Sequence, residues 1–576
     1  MNAISVSTTI TTRRRQLVNV RQHSLLVAKS RVLLVLMLFA LVAACALLRI
    51  GYVGVAEPAP RSQSMADALM PARGDIVDRN GVPLARAFNA YSLWYNPDAL
   101  GGGTALVHKP EEVAAALVRI FPDMDADELT ARLKSGKPGY LRRRILPEHA
   151  NRIHELGEPA LEFPRENERF YPQGSMAAHV LGFVSADGHG KVGMEEVFDE
   201  RLTDPASRSK PAMLSIDARV QGALEDELGR GMLESNAKGA AGVILDVDTG
   251  EVLALASLPA FDPNLIDEGS TPNIFNRVTN QVYELGSAFK PLTVAAAIDA
   301  GTVTDIGRRY PSGHPLAIGG FQIRDSHAMG ASLNVAEALI HSSNVVTAQI
   351  ADELGGPRLK ATMSALGMDK RPYIELPARG FPIWPSGNWA RITTMTVSYG
   401  HGIAVTPLHL ASAYAAMVNG GIWRPATLEK VEPGKAPAGH RVFKASTSAR
   451  MRQLLRMIVV YGTGKKANAP GFRVGGKTGS AEKPGAGGYR RSSLVSTFAS
   501  AFPMDHPRYV VIAMFDEPQG TAATSGQRTA AWNAAPAIGR VVPRVGPLLG
   551  VMPDETRDVD ISDLAPLIPG ANGGHE

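Results

Sequence analysis

Tyr283-Glu-Leu-Gly-Ser-Ala-Phe-Lys-Pro291 places a serine, Ser287, three residues before a lysine, Lys290. The apolar run that follows, Leu292 to Ile298, predicts a buried helix. Residues three apart on a helix share a face, so hydroxyl and amine can meet. A serine hydroxyl is a weak nucleophile and needs a base within hydrogen-bond reach. The pair alone decides nothing, because Ser207/Lys210, Ser235/Lys238 and Ser480/Lys483 repeat the spacing. Taken singly, Ser287 fits a helix cap better than a nucleophile.

Two downstream stretches set Ser287 apart. His341-Ser-Ser-Asn344 opens the apolar run Val345 to Ile350, and Val474-Gly-Gly-Lys-Thr-Gly-Ser480 lies on a predicted strand edge. Singly, Ser342 and Asn344 are ordinary capping residues and Lys477 a solvated strand lysine. In order, Ser-x-x-Lys at 287, Ser-x-Asn at 342 and Lys-Thr-Gly at 477 compose a serine acyl-transfer site. Gly471 to Thr478 also matches the nucleotide-binding P-loop letter for letter. A P-loop must open a helix, and Gly479-Ser-Ala-Glu-Lys-Pro-Gly485 cannot continue as one. The glycine-rich run Gly479 to Gly488 reads instead as a flexible loop beside a strand.

The 576 residues allow an anchor and two or three domains. The single cysteine, Cys45, excludes a disulfide framework and a Cys-ligated metal site within one chain. The fourteen histidines show no ligand spacing, so neither metal nor cofactor is expected. The net charge of +5 is spread along the chain without a basic stripe, which argues against nucleic acid as a partner. Basic residues concentrate only in the polar segment 1–31, ahead of an apolar stretch that runs from Val32 to Val55 with one interruption at Arg49. That pattern predicts a transmembrane anchor over 32–55, a cytoplasmic tail at 1–31 and a translocated remainder. Val42-Ala-Ala-Cys45 resembles a lipoprotein cleavage box, but apolar residues continue past it, which favours an uncleaved anchor.

Residues 56–205 read as a non-catalytic pedestal. Asp78-Arg-Asn-Gly81 signals a hairpin, and 111–120 and 125–133 carry apolar residues at helical spacing. Residues 206–553 read as an α+β catalytic domain. Strands are predicted at 240–245, 251–257, 471–474, 494–502 and 509–515, with helical patterns over 291–366 and 393–419. A strand hairpin, a helical body and returning strands predict an antiparallel sheet covered by helices. Residues 554–576 are expected to be a mobile tail.

These stretches resemble the class B penicillin-binding proteins, and most closely their division-specific, FtsI-type peptidoglycan transpeptidases. The resemblance runs from the anchor to about residue 545. It includes Arg73-Gly-x-Ile-x-Asp-Arg-Asn-Gly81, Arg169-Phe-Tyr-Pro172, Gly193-x-Glu195, Phe261-Asp-Pro-Asn264, Asn276-Arg277 and Ser398-Tyr-Gly-His-Gly402 with Thr406-Pro407. Leu285 stands where many relatives have proline and Ala288 where threonine is usual; neither change removes a reacting group. The resemblance implies a penicillin-binding transpeptidase fold and a substrate, the peptidoglycan stem peptide, that ends in D-Ala-D-Ala. Ser287 would be the nucleophile and Lys290 its base, kept neutral by burial and by Lys477. Ser342 would relay a proton to the leaving amine, and Asn344 would orient Lys290 and the substrate amide. Lys477 and Thr478 would hold the terminal carboxylate beside Gly479. Backbone N–H groups of Ser287 and Ser480 would form the oxyanion hole. Implied partners are β-lactams, a SEDS-type (FtsW-like) glycosyltransferase, other division proteins and the inner membrane. An elongation-specific relative is the second reading; a carboxypeptidase or β-lactamase would share the three motifs but seldom the anchor and pedestal. Arg73, Asp78, Arg79 and Glu195 read as structural ion pairs or turn residues.

Overall fold

A computed structural model of the chain describes residues 28–49, 73–99, 106–185, 187–266, 273–485 and 488–569. The chain divides at residue 70 into two units. The first holds one described element, helix α1 (Ala28–Arg49), of 22 residues, within which an 18-residue stretch has mean hydropathy 2.7. At 1.5 Å per residue it is about 33 Å long, enough to cross a bilayer core. The expected anchor over 32–55 is helical as far as Arg49; its last residues, the segment 56–72 and most of the expected cytoplasmic tail lie outside the described residues.

The second unit begins with the pedestal. Strand β1 (Ile76–Val77) turns through Asp78-Arg-Asn-Gly81 into the long strand β2 (Pro83–Tyr95). The Asp78 carboxylate accepts the N–H groups of Asn80 and Val82, the side-chain turn chemistry that Asp-x-Asn-Gly favours. Helices α2 (Pro110–Ile120) and α3 (Ala126–Lys134) follow, then β3 (Gly139–Ile145) and β4 (Arg165–Phe170), both antiparallel to β2. Val113, Leu117, Leu129 and Leu133 bury their helices against Leu93, Tyr95 and Leu141. Strand β1 also pairs, in parallel, with β5 (Ala212–Met213), the chain's entry to the catalytic domain.

One buried ion cluster ties the pedestal together. The Glu195 carboxylate takes Arg73 Nε at 2.7 Å and Arg169 Nε at 2.6 Å, and Asp199 takes Arg73 Nη1 at 2.5 Å. Glu195 has no exposed side-chain surface. Glu195→Ala leaves two guanidinium groups buried without their shared anion. Breaking such a cluster costs about 3–5 kcal/mol, so the pedestal's thermal unfolding midpoint should fall by several degrees, and an unchanged midpoint would contradict this account.

The catalytic domain is built on a five-stranded antiparallel sheet, with helix α4 (Ala218–Glu234) preceding its first hairpin, β6 (Gly239–Asp246) and β7 (Val252–Leu258). The nucleophile segment leads into α5 (Lys290–Asp299). A short hairpin, β8 (Leu316–Ile318) and β9 (Phe321–Ile323), precedes α6 (Val335–Ile340) and α7 (Asn344–Leu354). Helices α8 (Pro407–Val418) and α9 (Ala445–Tyr461) come next. The chain returns as β10 (Gly475–Gly485), β11 (Gly488–Phe502) and β12 (Tyr509–Asp516), closing with α10 (Ala534–Leu548). The strand order is β7-β6-β12-β11-β10.

Both faces of the sheet are covered, and the side-chain period of two shows it directly. On β12, Val510, Ile512 and Met514 pack with α5 and α8 residues such as Leu292 and Leu410. The intervening Val511, Ala513 and Phe515 pack with α4 and α10 through Leu228, Ile538 and Val541.

Four local expectations differ. The strand expected at 471–474 begins instead at Gly475, and the glycine-rich run is not a loop: β10 continues through Pro484 to Gly485, paired with β11. Its glycines and proline are tolerated because β10 is an edge strand, paired on one side only. The strand after Lys477 also replaces the helix a P-loop requires. The helical body over 291–366 is interrupted by two short ladders, Arg309–Pro311 with Ser332–Asn334 and β8 with β9. The tail from Asp554 is docked as far as residue 569: Arg456 pairs with Asp558, Asn334 donates to the Leu567 carbonyl, and Leu564 and Ile568 are buried.

Candidate active site

Ser287 sits in a tight 3₁₀ turn, Gly286–Phe289, that runs straight into α5. Pro291 follows at the start of the helix, where its missing N–H costs nothing. The turn is clamped from behind. Tyr414 OH donates to the Ala288 carbonyl at 2.8 Å, and Gly286 N donates to the Gly400 carbonyl at 3.3 Å. Gly286 has φ +55°, and a Cβ at Gly400 would lie 2.3 Å from the Gly286 oxygen, so both positions exclude side chains.

The second motif lies between two helices. Asn334 and Glu337 cap α6 reciprocally, and Ser343 caps α7 by accepting from Val346 N. Between them Ser342 adopts φ +65°, a left-handed conformation uncommon outside glycine. The third motif is on the edge strand β10, where the Lys477 side chain is fully buried.

The three motifs converge on one hydroxyl. Lys290 Nζ donates to the Ser342 carbonyl and, at 3.1 Å, to Ser342 Oγ. Lys477 Nζ donates to the same Oγ at 2.9 Å, to the Thr478 carbonyl at 2.9 Å and to Thr478 Oγ1 at 3.1 Å. Thr478 Oγ1 also meets Thr463 Oγ1 at 2.8 Å. Among the described residues no hydrogen bond reaches the partly exposed Ser287 hydroxyl, so the expected Ser287–Lys290 bond is not formed. Both acceptor contacts of the Lys290 ammonium are at Ser342 instead.

Ser480 contributes backbone. Its carbonyl faces Gly286, where a Cβ would lie 3.0 Å from it, while its hydroxyl accepts from Ala530 N. In an extended strand the N–H and C=O of one residue point the same way. The Ser480 N–H is therefore on the free edge facing the Ser287 turn. Gly479 makes this approach possible, since a Cβ there would lie 2.3 Å from the Leu285 carbonyl.

Residues 240–537 match the sequence family described as the penicillin-binding protein transpeptidase domain, and residues 68–210 match the penicillin-binding protein dimerisation domain. The chain is 39% identical over 511 residues to the probable peptidoglycan D,D-transpeptidase FtsI of Caulobacter vibrioides, covering 87% of this chain and 85% of that protein. The chain is a class B penicillin-binding protein. It is also 30% identical to FtsI of Escherichia coli K12, covering 84% of each. Among solved structures it is similar to apo penicillin-binding protein 3 of Mycobacterium tuberculosis, with TM-score 0.65 and 25% identity over 84% of this chain and 98% of that one.

Within this penicillin-binding protein the electrostatics of the two lysines differ. Lys290 is held well below the ordinary amine range, chiefly by burial and then by the Lys477 charge, with Asp325 opposing. Burial brings Lys477 down to about 7. Two ammonium groups facing one hydroxyl cannot both keep their protons cheaply. Lys290 carries both pressures toward the neutral form, burial and the Lys477 charge.

Asn344 departs from expectation. Its Nδ2 donates to the Arg324 carbonyl at 2.9 Å and its backbone N to Asp325 at 2.5 Å, and no hydrogen bond joins it to Lys290. Its position as the first residue of α7 fixes this, because the side chain turns toward the loop that caps the helix. Sequence reasoning missed Asp325 and Thr463. Neither stands in a motif; only the fold brings Asp325 to the Ser342 turn and Thr463 to Thr478.

Proposed function

We propose that this class B penicillin-binding protein, a peptidoglycan D,D-transpeptidase, cross-links stem peptides ending in D-Ala-D-Ala through an acyl-enzyme on Ser287. The observation that carries the reading is the convergence of two buried lysines on Ser342 Oγ beside the Ser287 turn. Neutral Lys290 takes the Ser287 proton as Oγ bonds to the penultimate D-alanine carbonyl carbon. The developing oxyanion lies against the N–H groups of Ser287 and Ser480. As the C–N bond breaks, the proton passes through Ser342 to the departing D-alanine amine. Lys477 and Thr478 hold that residue's carboxylate. An amine of a neighbouring stem peptide then attacks the acyl-enzyme, gives its proton back through the same groups and releases Ser287.

β-Lactams present a similar carboxylate and acyl carbon, so they acylate Ser287 and stay. One of the similar solved structures is penicillin-binding protein 3 complexed with aztreonam. Helix α1 anchors the protein in the inner membrane, with the catalytic domain in the periplasm. The likeness to FtsI relatives favours a role in cell division; action at the septum, with an FtsW-like glycosyltransferase and other division proteins, is part of this proposal.

Incubation of the protein with a fluorescent penicillin, digestion and mass mapping should place the adduct on Ser287. No stable adduct, or one on another residue, would sink the reading. A fluorescent fusion should gather at midcell; a side-wall pattern would assign the protein to elongation.

A further inference from the structure

The 342–345 turn is held from outside by a carboxylate belonging to no motif. Asp325 follows β9, and its Oδ1 accepts from Asn344 N at 2.5 Å and Val345 N at 3.1 Å. Its Oδ2 accepts from Ser343 Oγ at 2.7 Å. With the Arg324 carbonyl on Asn344 Nδ2, four hydrogen bonds tie residues 324–325 to the three residues after Ser342. Those residues need outside partners. The first N–H groups of α7 have no acceptor within the helix, and Ser343 Oγ takes only Val346 N. The left-handed φ of Ser342 persists only where the surroundings over-determine it. We infer that Asp325 is a positioning residue for acyl transfer, fixing Ser342 between the two lysines and supplying a negative charge opposite Lys290.

The inference rests on the acyl-transfer reading above. Its second half follows from what faces Lys290: Lys477 from β10, Asp325 from the loop after β9, and His401 from the Tyr399–Gly402 loop. Asp325 alone among these three favours the ammonium form, against burial and Lys477. Without it Lys290 loses its proton at lower pH.

Three variants of the full-length protein separate position from charge, each read as the rate of acylation by fluorescent penicillin between about pH 5 and 9. Asp325→Asn removes the charge but keeps an acceptor for the backbone N–H groups. It should lower the plateau about ten-fold and move the acid limb of the profile to lower pH. Ser343→Ala removes one hydrogen bond to a carboxylate that remains charged, so the plateau should fall while the limb stays in place. Asp325→Glu should return the limb toward its original pH. Thermal midpoints check that each variant is folded. An Asp325→Asn protein with unaltered plateau and limb overturns the inference. A lowered plateau with an unmoved limb also overturns it, reducing Asp325 to a helix cap. Absence of any Ser287 adduct in the unaltered protein removes the acyl-transfer reading itself, and this inference with it.

Discussion

Lys290→Arg is expected to slow acylation by penicillin about 10³-fold, within the ~10²–10⁴ that a positioned general base supplies. Lys290 can act as a base because it can be neutral: its side chain is fully buried, and the Lys477 charge adds to the penalty on its ammonium. A guanidinium keeps its proton under the same pressure, so arginine preserves a cation and removes the base. The pH profile carries the sign. Rates rise as Lys290 deprotonates, well below the ordinary amine range. They fall as Lys477 loses the charge that holds the substrate carboxylate, and burial has lowered Lys477 to about 7. The free enzyme should therefore show a bell with its alkaline limb near pH 7. A bound carboxylate favours the Lys477 ammonium, so this limb moves upward when substrate saturates. Lys290→Met, of similar length and uncharged, guards against an arginine too bulky for the site. If both folded variants acylate at the original rate, Lys290 is not the base.

The elements that form the site were legible because their residues obey short-range rules. The paired apolar strands around Asp246-Val-Asp-Thr-Gly250 became β6 and β7, and the Leu292–Ile298 run became the buried body of α5. The three motifs could be read as one site because each falls at or near an element boundary, in the turn before α5, between α6 and α7, and at the start of β10. What failed was long-range. Gly479 to Gly485 has loop composition, and only pairing with β11 makes it a strand. The proline- and glycine-rich stretch after Asp554 has no periodicity, yet Arg456 and Asn334, distant in sequence, hold it down. Asp325 and Thr463 act through partners 18 and 15 residues away, beyond any helix or hairpin period. The motif points Asn344 toward Lys290, but its amide donates instead to the Arg324 carbonyl, 20 residues away.

Gly479→Ala is expected to lower the acylation rate ~10²–10³-fold, the usual loss when one oxyanion donor is misplaced, although no reacting atom is touched. The Gly479 backbone is not in the left-handed region, so the objection to alanine is space. An added Cβ would sit 2.3 Å from the Leu285 carbonyl and 3.1 Å from Ala288 N. Backbone on one side must move. The Ser287 turn cannot retreat, because Tyr414 and Gly400 hold it from behind. Strand β10 can, since it is paired only to β11. The displacement carries the Ser480 N–H away from the oxyanion position and draws Lys477 and Thr478 away from Ser342. Because β11 and both helical layers stay in place, the thermal midpoint should fall by only a few degrees, and far-ultraviolet circular dichroism should be unchanged. A folded Gly479→Ala protein that acylates at the original rate would show that turn and strand can separate without loss, and the oxyanion assignment to Ser480 would fall.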